Sequence, residues 1–170
     1  ASNNESNGRE RAIDSIRRVL NRKRWKTRLL LENTAGERGD ISSHVTEIAE
    51  IINKVGFSFI GGVCIDTCHA FAASYEINTE EGLSNLINEI KMHIGLENIR
   101  LIHLNDSKKG YSCRVDRHEH IGMGKIGIDG LRRFINHPFF KQIPLILETP
   151  KKSEDDDKRN LKVVRDLIKD

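Results

Sequence analysis

Four ionisable residues in this sequence close or adjoin short apolar runs: Glu32 in RLLLE, Asp66 in GGVCID, His103 in IRLIHL and Glu148 in PLILE. They recur at intervals of 34, 37 and 45 residues, each long enough for one crossover between parallel strands. Parallel strands would bring all four groups to one end of a sheet. Clustered carboxylates repel one another unless cations neutralise them, and a mixed Glu, Asp and His set suits a divalent ion such as zinc or manganese. Three further residues extend the pattern. In GVCIDTCHAFA, Asp66 and His69 stand three apart across a strand end, and in VDRHEH, Asp116 and His118 form a D-x-H pair. Arg117, between them, carries a planar fork that could grip a phosphate or simply pair with Glu119.

Each feature also has a plainer reading. Asp66 could cap the next element with His69 packed nearby, and the D-x-H pair could belong to a solvated, charge-rich loop. His120 adds an H-x-H spacing and is left unassigned. Cys64 and Cys68 are spaced C-x3-C but have no second pair, so they read as small buried hydrophobes near the strand end. GMGKIG follows no strand directly, which argues against dinucleotide binding, and no serine or cysteine sits in a nucleophile elbow. The DDD at Asp155 to Asp157 reads as a solvated connector, and His44, His93 and His137 as residues without function.

The elements needed to position these groups follow from periodicity. Residues 1–10 contain no apolar side chain except Ala1 and read as a disordered tail or linker. Ile13, Ile16, Val19 and Leu20 predict a helix, and Val45, Ile48, Ile52 and Val55 a second one stopped by Gly56. Asn78 with Glu81 reads as a capping box ahead of Leu83, Leu86, Ile87, Ile90 and Ile94, with Gly95 as the stop. Asn105 to Gly127 lacks sustained periodicity and reads as a long functional loop. Short helices near Leu131 to Ile135 and Leu161 to Ile168 complete the chain. Apolar strands alternating with helices predict an α/β fold with a parallel sheet. Four such units make half of an eight-stranded barrel, a small open sheet, or a piece of something larger.

Composition sets bounds. With 170 residues, 37% apolar and 31% charged, there is enough chain for one core and too little for two ordinary domains. The net charge of +3 excludes neither a nucleic acid nor a neutral substrate. Residues 1–28 hold nine basic and three acidic side chains, so the ligand-bearing remainder is mildly acidic. Three cysteines argue against a disulfide framework and favour a reducing, intracellular setting whose compartment stays open. No run approaches the roughly 20 apolar residues of a membrane span, so no membrane partner is expected, and the amino end lacks a signal-peptide pattern.

Taken together, ENTAG at Glu32, GVCIDTCHAFA at Asp66, HLNDSK at His103, VDRHEHIGMGKIG at Asp116 and LILETP at Glu148 resemble the endonuclease IV family of apurinic/apyrimidinic (AP) DNA endonucleases. The resemblance runs from about Arg11 onward and implies a TIM (β/α)8 barrel carrying a trinuclear zinc centre, of which residues 11–170 match the last four βα units and the helix before them. It implies that Glu32 bridges two zinc ions, that Asp66, His103 and Glu148 complete one of them, and that His69, Asp116 and His118 hold the third. The remaining ion would draw on two histidines of the first barrel half, which have no counterpart here, so about two zinc ions are expected from this chain's ligands.

The implied activity is zinc-dependent hydrolysis of the phosphodiester 5′ to an abasic site in double-stranded DNA, leaving a 3′ hydroxyl, as in base excision repair. Glu32 and Glu148 would hold the nucleophilic site, and Arg117 and Lys108 would contact phosphates. A half barrel exposes two sheet edges, so the expected partners are the other barrel half or a second copy, and the chain alone is expected to be poorly active. The rivals are a metal-dependent sugar isomerase or epimerase of the xylose-isomerase-like class, which would not need His69, Asp116 and His118, and a non-catalytic metal- or DNA-binding fragment.

Overall fold

The structure, a computed structural model, describes residues 2–22, 25–56 and 58–168. Helix α1 spans Ser2–Asn21. The tail expected over residues 1–10 is therefore helical from residue 2, and the reason is polar. Ile13 is fully buried, and the Arg9 guanidinium bonds Glu47 at 2.8 Å and Glu50 at 2.5 Å on the next helix. With the helix nucleated at its apolar stretch, each further residue adds a hydrogen bond at little extra cost.

Strand β1 (Leu29–Glu32), helix α2 (Val45–Val55), strand β2 (Ile60–Asp66), helices α3 (Thr67–Ala72) and α4 (Glu80–His93) and strand β3 (Ile99–His103) follow. Helix α2 buries Ile48 and Ile52, one face of the predicted periodicity, and Gly56 closes it with φ of 98°. The cap of α4 is Thr79, whose hydroxyl accepts from the Gly82 N–H at 3.0 Å, one residue beyond the predicted Asn78. Between Asn105 and Gly127 the long loop contains a small antiparallel pair, β4 (Asp106–Ser107) with β5 (His118–Glu119). Helix α5 (Gly127–Asn136), strand β6 (Leu145–Ile146) and helix α6 (Asp156–Leu167) end the chain. The DDD run is only partly a solvated connector. Asp156 is buried at the start of α6, where the backbone N–H groups of Lys152 and Ser153 hold its carboxyl down to about 2.

The main sheet has the order β1-β2-β3-β6, all parallel. Its register places Glu32 beside Cys64, Asp66 beside His103 and His103 beside Ile146, so the ionisable residues stand at the same end. One core joins β2 and β3 to the helices through Val63, Ile65, Ile102, Leu86, Ile90 and Phe134. Burying each such side chain contributes about 1.5–3 kcal/mol, which fixes the strand ends in place. Gly62 allows the close approach of β2 to the turn before β3: its φ is 144°, and a Cβ there would lie 2.5 Å from the Asn98 carbonyl oxygen. The edge strands leave Leu29 and Ile146 exposed. The architecture is α/β, four parallel strand and helix units with half the strand count of an eight-stranded barrel. Among the described residues, no helix is long and apolar enough to cross a membrane.

Candidate metal centre

Seven predicted ligand residues converge at the carboxyl ends of the parallel strands, as two adjoining groups. In the first, Glu32, Asp66, His103 and Glu148 each offer a ligand atom within 4.8 Å of the others. The His103 Nδ1 lies 2.9 Å from Glu32 Oε1 and 3.2 Å from Glu148 Oε2, so the ring sits between carboxylates from opposite edges of the sheet. In the second, His69, Asp116 and His118 meet the same criterion. The Asp116 carboxylate lies between two rings, with Oδ2 3.3 Å from His69 Nε2 and Oδ1 3.3 Å from His118 Nε2. The groups abut: His118 Nε2 is 3.7 Å from Asp66 Oδ2, and His69 Nδ1 is 3.5 Å from Glu32 Oε1.

Local structure accounts for each placement. Asp66 ends β2 and caps α3, its Oδ1 accepting from the His69 N–H at 2.8 Å, so the capping reading holds, and the same carboxylate lies among the candidate ligands. The turn of α3 brings His69 back over the strand end. His118 reaches the centre because β5 pairs with β4, which continues from β3. The turn after His118 wraps around buried Asp106, whose carboxylate accepts from the backbone N–H groups of Gly124 and Ile126, giving GMGKIG a structural part.

The donor set fits a cation. His69 Nδ1 contacts the Asn33 carbonyl at 2.8 Å and His118 Nδ1 the Glu148 carbonyl at 2.9 Å. A carbonyl only accepts, so each Nδ1 donates, and in the neutral ring each Nε2 has a lone pair directed at the group. Both Nε2 atoms are buried and have no hydrogen-bond partner. An unsatisfied buried polar atom is costly, and a divalent ion between the two rings and Asp116 would satisfy both. Burial disfavours protonation of His69, but Asp66, the Asn33 carbonyl, Asp116 and Glu32 outweigh it and raise the pKa above that of free imidazole.

Two asparagines absent from the sequence expectations, Asn33 and Asn105, adjoin the centre, and a third, Asn160, lies beyond it. Asn33 and Asn105 follow Glu32 and His103 closely, and their side chains bond around Asp66 and Glu148. Asn160, buried on α6, accepts from the Ile121 N–H and donates toward His120 and Thr149, which gives His120 a partner outside the centre. Arg117 and Lys108 are both exposed and lie side by side, because the Lys108 N–H donates to the Arg117 carbonyl at 2.8 Å. The Arg117 guanidinium bonds the Asp116 carbonyl rather than Glu119. A cleft of about 390 Å³ lined by Gly36, Glu37, Arg38, Asp40 and Arg114 meets the centre where Glu37 accepts from the Asp116 N–H.

Cys64 and Cys68 are buried, and burial pushes both thiols up to about 12, with the Glu32 and Asp66 carboxylates adding to it, respectively. Cys113 is only half-buried. At pH 8 the folded chain is therefore expected to give one reactive thiol with a disulfide reagent such as dithionitrobenzoate, at Cys113, and three after denaturation. Fast labelling of Cys64 or Cys68 in the folded chain would contradict their placement.

A family model described as a xylose isomerase-like TIM barrel matches residues 1–169. Proteins named probable endonuclease 4 are similar: that of Halothermothrix orenii is 49% identical over 144 residues, covering 85% of this chain and 52% of the relative. That of Aquifex aeolicus is 44% identical over 165 residues, covering 96% and 57%. The crystal structure of endonuclease IV from Thermus thermophilus superposes with a TM-score of 0.71 at 39% identity, over 82% of this chain and 49% of that one. The chain thus spans about half the length of the curated relatives it matches. With four parallel units and these relatives in hand, the chain belongs to the xylose isomerase-like TIM barrel family and resembles its endonuclease IV members.

Proposed function

We propose that this chain carries the metal-binding half of a zinc-dependent AP endonuclease, which hydrolyses the phosphodiester 5′ to an abasic site in double-stranded DNA and leaves a 3′ hydroxyl. The observation that carries the reading is the second group. Two histidines with free, buried Nε2 atoms flank Asp116, beside a separate four-residue group. A sugar isomerase of this fold class has no need of that additional set. Relatives named probable endonuclease 4 support the same choice.

Glu32, Asp66, His103 and Glu148 would hold one ion, and His69, Asp116 and His118 another, with Glu32 free to share an oxygen with a further site. Zinc bound there would polarise the phosphodiester and lower the pKa of a bound water to about 7, and manganese is the alternative ion. The chain's own residues orient the reaction. Glu32 and Glu148 flank the His103 ring, and between them they would hold the attacking water. His69 and His118 are fixed by their Nδ1 bonds to backbone carbonyls. Arg117 and Lys108 would bind phosphates of the damaged strand, and an abasic nucleotide costs less to extrude because it has no base to unstack. Leu29 and Ile146 on the open sheet edges would be covered by the rest of a barrel or by a second copy.

The test is incision of a labelled duplex containing one abasic site, by the chain and by its Asp116→Ala variant, in zinc-containing buffer. Slow, chelator-sensitive incision lost in the variant is expected. Turnover of a ketose or aldose that survives Asp116→Ala, with no incision, would overturn the nuclease reading in favour of an isomerase. Zinc binding with neither activity would favour a binding fragment. Arg117→Ala is expected to weaken duplex binding about uniformly over sequence and to reduce the slope of log affinity against log salt by about one. An unchanged slope would remove Arg117 from the phosphate contacts.

A further inference from the structure

We infer that Asn105 is a positioning residue of the centre, setting its cation affinity by fixing Asp66 and Glu148 relative to each other. The inference rests on the metal reading above and concerns a residue that offers no ligand atom to either group. Asn105 lies two residues beyond His103, and its side chain is completely buried. Its Nδ2 donates to Asp66 Oδ2 at 2.6 Å, and its Oδ1 accepts from the Glu148 N–H at 2.8 Å. One side chain on the β3 end thus joins the carboxylate at the β2 end to the backbone at the β6 end.

The chemistry requires an amide. The partner on one side is a carboxylate, which needs a donor, and on the other a backbone N–H, which needs an acceptor. Aspartate would set a second negative charge 2.6 Å from Asp66, and leucine would leave both partners unsatisfied. The backbone is held as firmly: the Asn105 N–H donates to Thr67 Oγ1 at 2.9 Å, and Thr67 Oγ1 donates to the Asn105 carbonyl at 2.6 Å.

The effect on Asp66 is directional. Oδ1 already accepts from the His69 N–H, and Oδ2 accepts from Asn105, so the carboxylate plane is fixed from both sides. Each oxygen retains a second lone pair, and Oδ2 presents it 3.7 Å from His118 Nε2. Asn33 does the same from β1, with its Oδ1 accepting from the Asp66 N–H at 2.8 Å and its Nδ2 donating to the Asp66 carbonyl at 3.1 Å. Asn33 grips the Asp66 backbone, while Asn105 grips the carboxylate itself. Outer partners of this kind typically govern metal affinity by about 10–100-fold.

The test titrates metal-free chain with Zn²⁺ in competition with a chromophoric chelator. It compares wild type with Asn105→Ser, which leaves room for water, and with Asn105→Asp. Melting temperatures are taken with and without zinc, and the visible absorption of the Co²⁺-loaded forms is recorded. The wild type is expected to bind zinc, with affinity falling about tenfold or more in Asn105→Ser and further in Asn105→Asp. The zinc-dependent rise in melting temperature should shrink, and the Co²⁺ spectrum should change. A merely structural role would lower both melting temperatures equally and leave affinity and spectrum unchanged, which would overturn the inference. Should Asn105→Asp not fold, Asn105→Ser alone decides between these outcomes. A wild type that binds no zinc would overturn the metal reading itself, a result distinct from tight binding retained in the variants.

Discussion

Asp66→Ala is expected to lower the unfolding free energy of the metal-free chain by about 2 kcal/mol, even though it removes a negative charge from a crowded carboxylate group. Two losses add up. The carboxylate caps α3 through the His69 N–H, and an N-cap is typically worth about 1 kcal/mol. It also satisfies the buried Asn105 amide, and leaving that donor unpaired costs about 1–3 kcal/mol. For a chain of this size the melting temperature should fall by about 4–8 °C. Asp66→Asn keeps an acceptor for the cap and should lose less. Urea unfolding followed by circular dichroism measures both. An unchanged midpoint for Asp66→Ala would mean that the residue is held by the fold without contributing to it.

The second large effect is stabilisation by zinc. At a free concentration a hundredfold above its dissociation constant, an ion that binds only the folded chain adds about 2.7 kcal/mol, or about 5–11 °C in melting temperature. The effect should depend on pH with a definite sign. The pKa of His69 is raised because nearby carboxylates outweigh its burial, and a cation needs the neutral ring, so zinc must displace that proton. The zinc-dependent increment should therefore be larger at pH 8 than at pH 6. Without metal the same residue acts in the opposite direction: its contribution is fully present below the unfolded pKa and is lost as pH rises through the raised folded value. Differential scanning fluorimetry across that range, with zinc and with a chelator, separates the two slopes. A zinc increment that grows on acidification would contradict the assignment of His69.

The strands and the four candidate ligands at their ends, Glu32, Asp66, His103 and Glu148, were legible in the sequence because both signals are local, whereas His69, Asp116 and His118 were marked only by spacing and gained a role through the family resemblance. Apolar runs such as GGVCID mark strands, and ionisable residues at their ends stand out against them. What escaped is held by partners far away in the chain. Helix α1 begins at Ser2 rather than near Ile13, and the clearest anchor of its early part, Arg9, pairs with Glu47 and Glu50, about forty positions on. Asp156 looked like one of three solvated acids until the preceding turn folded its N–H groups onto it. The α4 cap moved from Asn78 to Thr79, a shift of one residue that two adjacent capping types leave open. Asn33, Asn105 and Asn160 are ordinary polar residues by composition. Only the convergence of β1, β2, β3 and α6 shows that each supplies a donor and an acceptor to elements remote in sequence.

Zinc content after purification and exhaustive dialysis against zinc-free buffer, measured by atomic spectroscopy on the chain and on its His69→Ala/His118→Ala double variant, tests the cation centre most directly. About two ions per wild-type chain, with about one lost in the double variant, is the expected result. A wild-type chain that retains no zinc and takes up none at micromolar concentration, while still folded, would contradict it.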